Sequence, residues 1–229
     1  MSTRTIERKG RKDRKAFFSS AIKAKLSFAV LAAFAFFCVR VLVAGSTQPA
    51  GDPPPGMQQA IFGGGCFWSM EHVFDEIPGV QSVTAGYTGG SAKSPSYEQV
   101  ELGITGHVEA VRVVFDPSKV AYETLLDAYW HNTDPTEGAG QFCDFGPQYR
   151  PVIFYSGDAQ QQRAEASKKA LEDAQRFKRV MTRVLPASTF WIAEAYHQHY
   201  YKTHATAYQR YRVGCGRDAR LREVWGAHR

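Results

Sequence analysis

At 229 residues, with 44% hydrophobic content, the chain is long enough to build one sizeable core. Its net charge of +6 invites a nucleic-acid reading, but residues 1–25 hold nine Lys/Arg against two Asp/Glu, so that segment is +7. The remaining nineteen Lys/Arg and twenty Asp/Glu leave the rest of the chain at −1. A nucleic-acid binder would carry the basic charge on its body, so the distribution argues against that class and for a membrane-directed amino terminus.

Residues 26–44, LSFAVLAAFAFFCVRVLVA, follow the basic leader 1–25 and are interrupted only by Arg40. Their length is close to the ~20 residues that span a bilayer, and Arg40 is placed to snorkel, so a signal anchor is expected. The alternative is a signal peptide cleaved before Thr47, after the small residues Ala44-Gly45-Ser46. Either reading puts the body outside the cytoplasm, in the periplasm or cell envelope. Residues 45–56, GSTQPAGDPPPG, read as a stiff linker, with the domain proper at 57–229.

Beyond the linker, Ala60-Ile61-Phe62 predicts a strand running into Gly63-Gly64-Gly65. Phe67, Met70, Val73, Phe74 and Ile77 then give helical spacing. Strands are expected at 80–87, 107–115 and 152–155, and helices at 120–131 and 158–177. The tail from Ala205 lacks clear periodicity and reads as coil, although GRDARLREVWG near its end has a helical, charged look. Unevenly spaced strands and helices indicate an α+β sandwich.

The strongest chemical signal is Gly63-Gly64-Gly65-Cys66-Phe67-Trp68. Three glycines let the backbone approach a ligand and deliver Cys66 uncovered to the first turn of a helix, whose N-terminus favours a thiolate. Phe67 and Trp68 behind it suit an apolar pocket. In TGHVEAVRVVF, alternation puts Glu109 on the face of Val111, Val113 and Phe115, where its charged form is disfavoured. Outside the leader and apolar segment there are three cysteines, Cys66, Cys143 and Cys215, so one is left over whenever two pair.

The motifs GGGCFW, GYTGG, SPSYEQV, TGHVEAVRVVFDP, FCDFGPQYRPVIFY and AEAYHQHYY occur in the order found in A-type peptide methionine sulfoxide reductases, and the chain resembles that family from about residue 59 to 215. The resemblance implies a two-layer α+β sandwich with a ferredoxin-like core and long coil excursions. It also implies no metal and no organic cofactor, an external thioredoxin-like thiol donor, and reduction of the S epimer of methionine sulfoxide, free or in oxidised proteins. Carried onto matching positions, Cys66 attacks the sulfoxide sulfur and Glu109 protonates its oxygen. Tyr97 and Tyr149 bond that oxygen, Asp144 organises the polar side, and Phe67 and Trp68 hold the methyl group. Cys215, between Gly214 and Gly216, resembles the recycling cysteine and is expected to pair with Cys66, with Cys143 the alternative resolver or a bystander.

Two other classes compete. A cysteine hydrolase would pair Cys66 with a histidine base, and a non-catalytic disulfide protein would keep Cys66 and Cys215 permanently joined. The spacing of His197, His199 and His204 has no accompanying Cys or carboxylate pattern, so a zinc site is not expected.

Overall fold

The computed structural model describes residues 47–226. The leader 1–25 and the apolar segment 26–44 lie outside the described residues, among which no helix is long and apolar enough to cross a membrane. The stretch expected to be a linker already engages the fold. Within it β1 (Gln48–Pro49) pairs with a strand far along the chain, and the Thr47 hydroxyl donates to the Pro95 carbonyl at 2.8 Å.

Strands β2 (Gln58–Gly63), β3 (Val80–Thr88) and β4 (Val108–Phe115) arise where apolar residues alternate or run unbroken, with α1 (Phe67–Asp75) between the first two. The short helix α2 (Tyr97–Glu101) is fixed by a reciprocal cap, in which Ser96 accepts from the Gln99 amide and the Gln99 side chain accepts from the Ser96 amide. Further along come α3 (Tyr122–His131), the hairpin β5 (Gly140–Gln141) and β6 (Asp144–Phe145), β7 (Val152–Tyr155), and α4 (Asp158–Asp173). The chain then forms β8 (Arg183–Pro186), β9 (Trp191–Ile192), α5 (Tyr200–Thr203), α6 (Ala205–Gly214) and α7 (Arg217–Trp225).

Seven strands form one mixed sheet in the order β1-β9-β3-β4-β2-β7-β8, antiparallel except for the β7–β8 pair. In that register Phe62 lies opposite Val111, which lies opposite Ala85, and Tyr87 lies opposite Glu109. The two-residue repeat sends Phe62, Val111, Val113 and Phe115 to one face, where they meet Met70 and Phe74 of α1 and Leu125, Leu126 and Tyr129 of α3. Ile61, Val108, Ala110 and Phe154 point to the other face, into a smaller cluster closed by Phe190. The main core therefore lies between the sheet and α1–α3, beneath the start of α1.

Two expectations change. Helix α4 ends at Asp173, short of Phe177, because Gln175 adopts a left-handed φ of 50° and Phe177 turns to pack edge-on against Trp225 at 5.1 Å. The tail, expected as coil apart from the helical look of GRDARLREVWG, is two helices. Their buried sides are built from Tyr208 in α6 and from Arg217, Leu221 and Val224 in α7, so the usual aliphatic stripe is largely missing.

Phe62 is fully buried, its ring centroid 4.8 Å from that of Phe74 and 5.3 Å from that of Tyr129. Phe62→Ala should cost about 3–5 kcal/mol, the range for emptying an aromatic site in a packed core. Urea denaturation measures it as a lowered midpoint at unchanged slope.

Candidate active site

The turn that carries Cys66 is made of glycines for steric reasons. A Cβ on Gly63 would sit 2.6 Å from Val108 Cγ1, one on Gly64 would sit 2.7 Å from Met70 Sδ, and Gly65 has φ +80°. The Tyr129 hydroxyl donates to the Gly63 carbonyl at 3.0 Å and ties the turn to α3. Cys66 then forms the N-cap of α1 with 6% of its surface exposed, and it is a free thiol.

Two carboxyls face it. Glu109, 2% exposed on β4, accepts a hydrogen bond from the Phe67 amide at 3.1 Å, one of the helix-start N–H groups that lacks a partner within α1. Burial pushes its carboxyl up to about 8, although that hydrogen bond acts in the opposite direction. Glu109 is thus largely protonated at neutral pH. Asp144 on β6 accepts from the Tyr211 hydroxyl at 2.5 Å and from the Cys66 amide, and burial raises its carboxyl above the ordinary range.

Burial pushes the Cys66 thiol well up, and the Glu109 and Asp144 carboxyls add to this when ionised. The helix N-terminus had suggested a thiolate, but desolvation and two carboxyls outweigh the helix dipole, and the resting sulfur is a thiol.

Cys66, Phe67 and Trp68 line a cavity of about 100 Å³ together with Tyr97, Glu109, Asp144 and Tyr149. The sequence-derived residues from four separate segments therefore meet in one place. Tyr211 also lines the cavity and had escaped sequence reasoning. The only available signal was its one-turn spacing from Tyr208, which marks a helix face.

Supporting groups fix these walls. Glu194 accepts from the Tyr87 hydroxyl at 2.8 Å and from the Tyr97 amide at 2.9 Å, so one carboxylate holds the start of α2. Trp68 donates its indole N–H to His197 Nδ1 at 3.2 Å and stacks on Tyr200 at 3.8 Å between centroids. Burial lowers His197 to about 4, keeping it neutral and able to accept. The three histidines do not converge, since His199 faces Glu71 and His204 bonds Thr203. Among the described residues no histidine stands on the Cys66 sulfur as a hydrolase would need; its polar neighbours include Glu109, Asp144 and Tyr211.

Cys215 pairs with Cys143 across 72 residues, not with Cys66 as expected. The pairing follows from placement. Cys143 stands in the turn of the β5–β6 hairpin and Cys215 caps the end of α6, which brings their Cα atoms to 5.0 Å. A permanent Cys66–Cys215 bond is thereby overturned, and so is a bystander role for Cys143.

A buried thiol beside a protonated carboxyl, with a disulfide on the adjoining hairpin, is the equipment of a thiol-dependent oxidoreductase. The family model described as peptide methionine sulfoxide reductase matches residues 58–229. A peptide methionine sulfoxide reductase MsrA 2 of Caulobacter vibrioides is 48% identical over 192 residues, covering 83% of this chain and 96% of its own. The MsrA of Bacillus subtilis is 49% identical over 169 residues, covering 73% and 96%. Among solved structures, methionine sulfoxide reductase A of Corynebacterium diphtheriae has a TM-score of 0.61 at 32% identity, covering 70% of this chain and 87% of that one. Mxr1 of Saccharomyces cerevisiae in reduced form has a TM-score of 0.62 at 27% identity, covering 68% and 90%. The chain belongs to the peptide methionine sulfoxide reductase family.

Because the folded Glu109 carboxyl titrates near 8 instead of near its ordinary 4.5, the folded state binds that proton more tightly than the unfolded chain. The stability it contributes is full below about 4.5 and is lost as pH rises to about 8. Glu109→Gln has no proton to lose, so denaturation across that window should show wild type falling relative to the variant.

Proposed function

We propose that Cys66 attacks the sulfur of a methionine S-sulfoxide, free or in an oxidised protein, while Glu109 supplies the proton its oxygen needs to leave. The observation that carries this reading is the shared cavity, where a free thiol and a carboxyl protonated at neutral pH open onto one small space. The substrate methyl group packs on Phe67 and Trp68, and the oxygen faces Tyr97, Tyr149 and Glu109. Walls so different on opposite sides accept one handedness at sulfur, in keeping with the S selectivity implied by the family. Attack joins the Cys66 sulfur to the sulfoxide sulfur while Glu109 gives its proton to the oxygen and takes the thiol's; the hydroxyl then passes to Cys66 as that S–S bond and the S–O bond of the sulfoxide break. Methionine and a Cys66 sulfenic acid are the products.

A thiol then displaces water from the sulfenic acid to form a disulfide with Cys66. Cys215 is the resolving thiol in this scheme, and Cys143 then attacks Cys215, releasing Cys66 as a thiol and leaving Cys143–Cys215. The observed disulfide is the end state of that sequence, and exposed Cys143 offers it to an external dithiol donor of thioredoxin type. The reaction calls for no metal and no organic cofactor.

The run β2-α1-β3-β4-α3-β7, with sheet order β3-β4-β2-β7, supports a ferredoxin-like two-layer centre with coil excursions around it. For the compartment, the +7 leader before the apolar residues 26–44 supports an extracytoplasmic enzyme that is anchored or secreted.

Reduced protein mixed with excess blocked methionine sulfoxide and no reductant should yield methionine and end with Cys143–Cys215 by peptide mapping. Cys143→Ser should stop at Cys66–Cys215, and Cys66→Ser should abolish reduction. Turnover by Cys66→Ser would end the assignment, and a Cys66–Cys143 bond in Cys215→Ser that recycles normally would move the resolving role to Cys143. A reporter fused after Arg229 should be active only outside the cytoplasm.

A further inference from the structure

The charge around Cys66 is unbalanced. Burial and Asp144, and Glu109 once it is ionised, oppose an anion on its sulfur, yet attack on a sulfoxide draws on the anionic form. The other titratable groups that face the sulfur are Tyr97, Tyr149 and Tyr211; the Tyr211 hydrogen bond helps the anion, but none of the three brings positive charge. A cation is present nearby, in the tail. Arg217 opens α7 immediately after Gly216, whose φ of +67° turns the chain inward. It is 1% exposed and is the only buried Lys or Arg among the described residues.

Its guanidinium lies under the glycine turn. Nη2 donates to the Asn132 carbonyl at 2.7 Å and the Gly64 carbonyl at 3.3 Å, and a Cβ on Gly65 would lie 3.6 Å from Nη1. The plane rests on the Phe142 ring, 4.4 Å from its centroid. Among the described residues Nε and Nη1 have no hydrogen-bond partner, and no carboxylate forms an ion pair with the group. A buried guanidinium left unpaired is costly unless the cation itself is used. The titratable groups that face it are Tyr208, Tyr211 and Arg212 from α6, Tyr129 from α3, Cys66 before α1, and Asp144 from β6.

We propose that Arg217 is a positioning residue for the reaction, its buried positive charge held against the Gly64–Gly65 turn to favour the anionic over the neutral form of the Cys66 sulfur. The proposal rests on Cys66 as the attacking sulfur. It gives the unpartnered guanidinium a use and gives α7 a role besides covering the core. The disulfide holds this arrangement, since Phe142 precedes Cys143 and Arg217 follows Cys215 by two residues.

The test is alkylation of Cys66 by iodoacetamide as a function of pH, in the Cys143–Cys215 form and read by peptide mapping. This readout needs no turnover, so it stands apart from the Cys66→Ser test of the activity. Arg217→Met should move the pH–rate curve up by about one unit, roughly tenfold slower at pH 8, and Arg217→Lys should restore most of the difference. Should Arg217→Met fail to fold, Arg217→citrulline keeps the shape and N–H groups without the charge. It is accessible by ligating a synthetic Cys215–Arg229 peptide to the rest of the chain. Curves of either neutral variant that superimpose on wild type, with unchanged circular dichroism, would overturn the proposal.

Discussion

The hydrogen bond from the Phe67 amide to the Glu109 carboxyl joins the first turn of α1 to the start of β4, and the site is arranged around it. A carboxyl on the helix-covered face of a sheet is unfavourable unless something satisfies it, and the open N–H groups at a helix start are suitable donors. That contact fixes the distance between the cysteine turn and the sheet. It also obliges Glu109 to stay where water does not reach, which is why its proton is retained.

Sheet topology determines what else reaches this point. The β3-β4-β2 order puts Tyr87 opposite Glu109 and places the Gly63–Gly65 turn at the end of a central strand. Connections leaving the sheet then return to the same end. The Ser96 cap starts α2 at Tyr97, Glu194 holds both Tyr97 and Tyr87, and the β5–β6 hairpin brings Asp144 and Cys143. The tail closes the remaining side with Tyr211 and Arg217 and is secured to the hairpin by the disulfide. Each wall comes from a different stretch of chain, so the cavity exists only when the whole domain is folded.

The electrostatics of the site run against the simplest local rule. A cysteine at a helix N-terminus is ordinarily acidified, whereas Cys66 is held as a thiol by burial and by two carboxyls. Such a sulfur is protected from adventitious oxidants, which react with the thiolate. The same carboxyls make the cavity suited to a neutral polar group such as a sulfoxide and poorly suited to an anion.

By itself the sequence determined the local features: the glycine turn ending in Cys66, the alternation that puts Glu109 with Val111, Val113 and Phe115, and the helix that carries Phe67 and Trp68. These are legible because a two- or 3.6-residue repeat and a glycine turn are properties of adjacent residues. The first tail helix was missed because tyrosine and arginine replace much of the aliphatic stripe that marks a buried face, the second showed only as a helical, charged look, and Tyr211 and Arg217 went unseen as site residues. Only the tertiary structure decided that Cys143 pairs with Cys215, that Cys66 rests as a thiol, and that a lone guanidinium lies beneath its turn. Those facts depend on distances between residues far apart in the chain and on the water that packing removes, and neither quantity is written in any one segment.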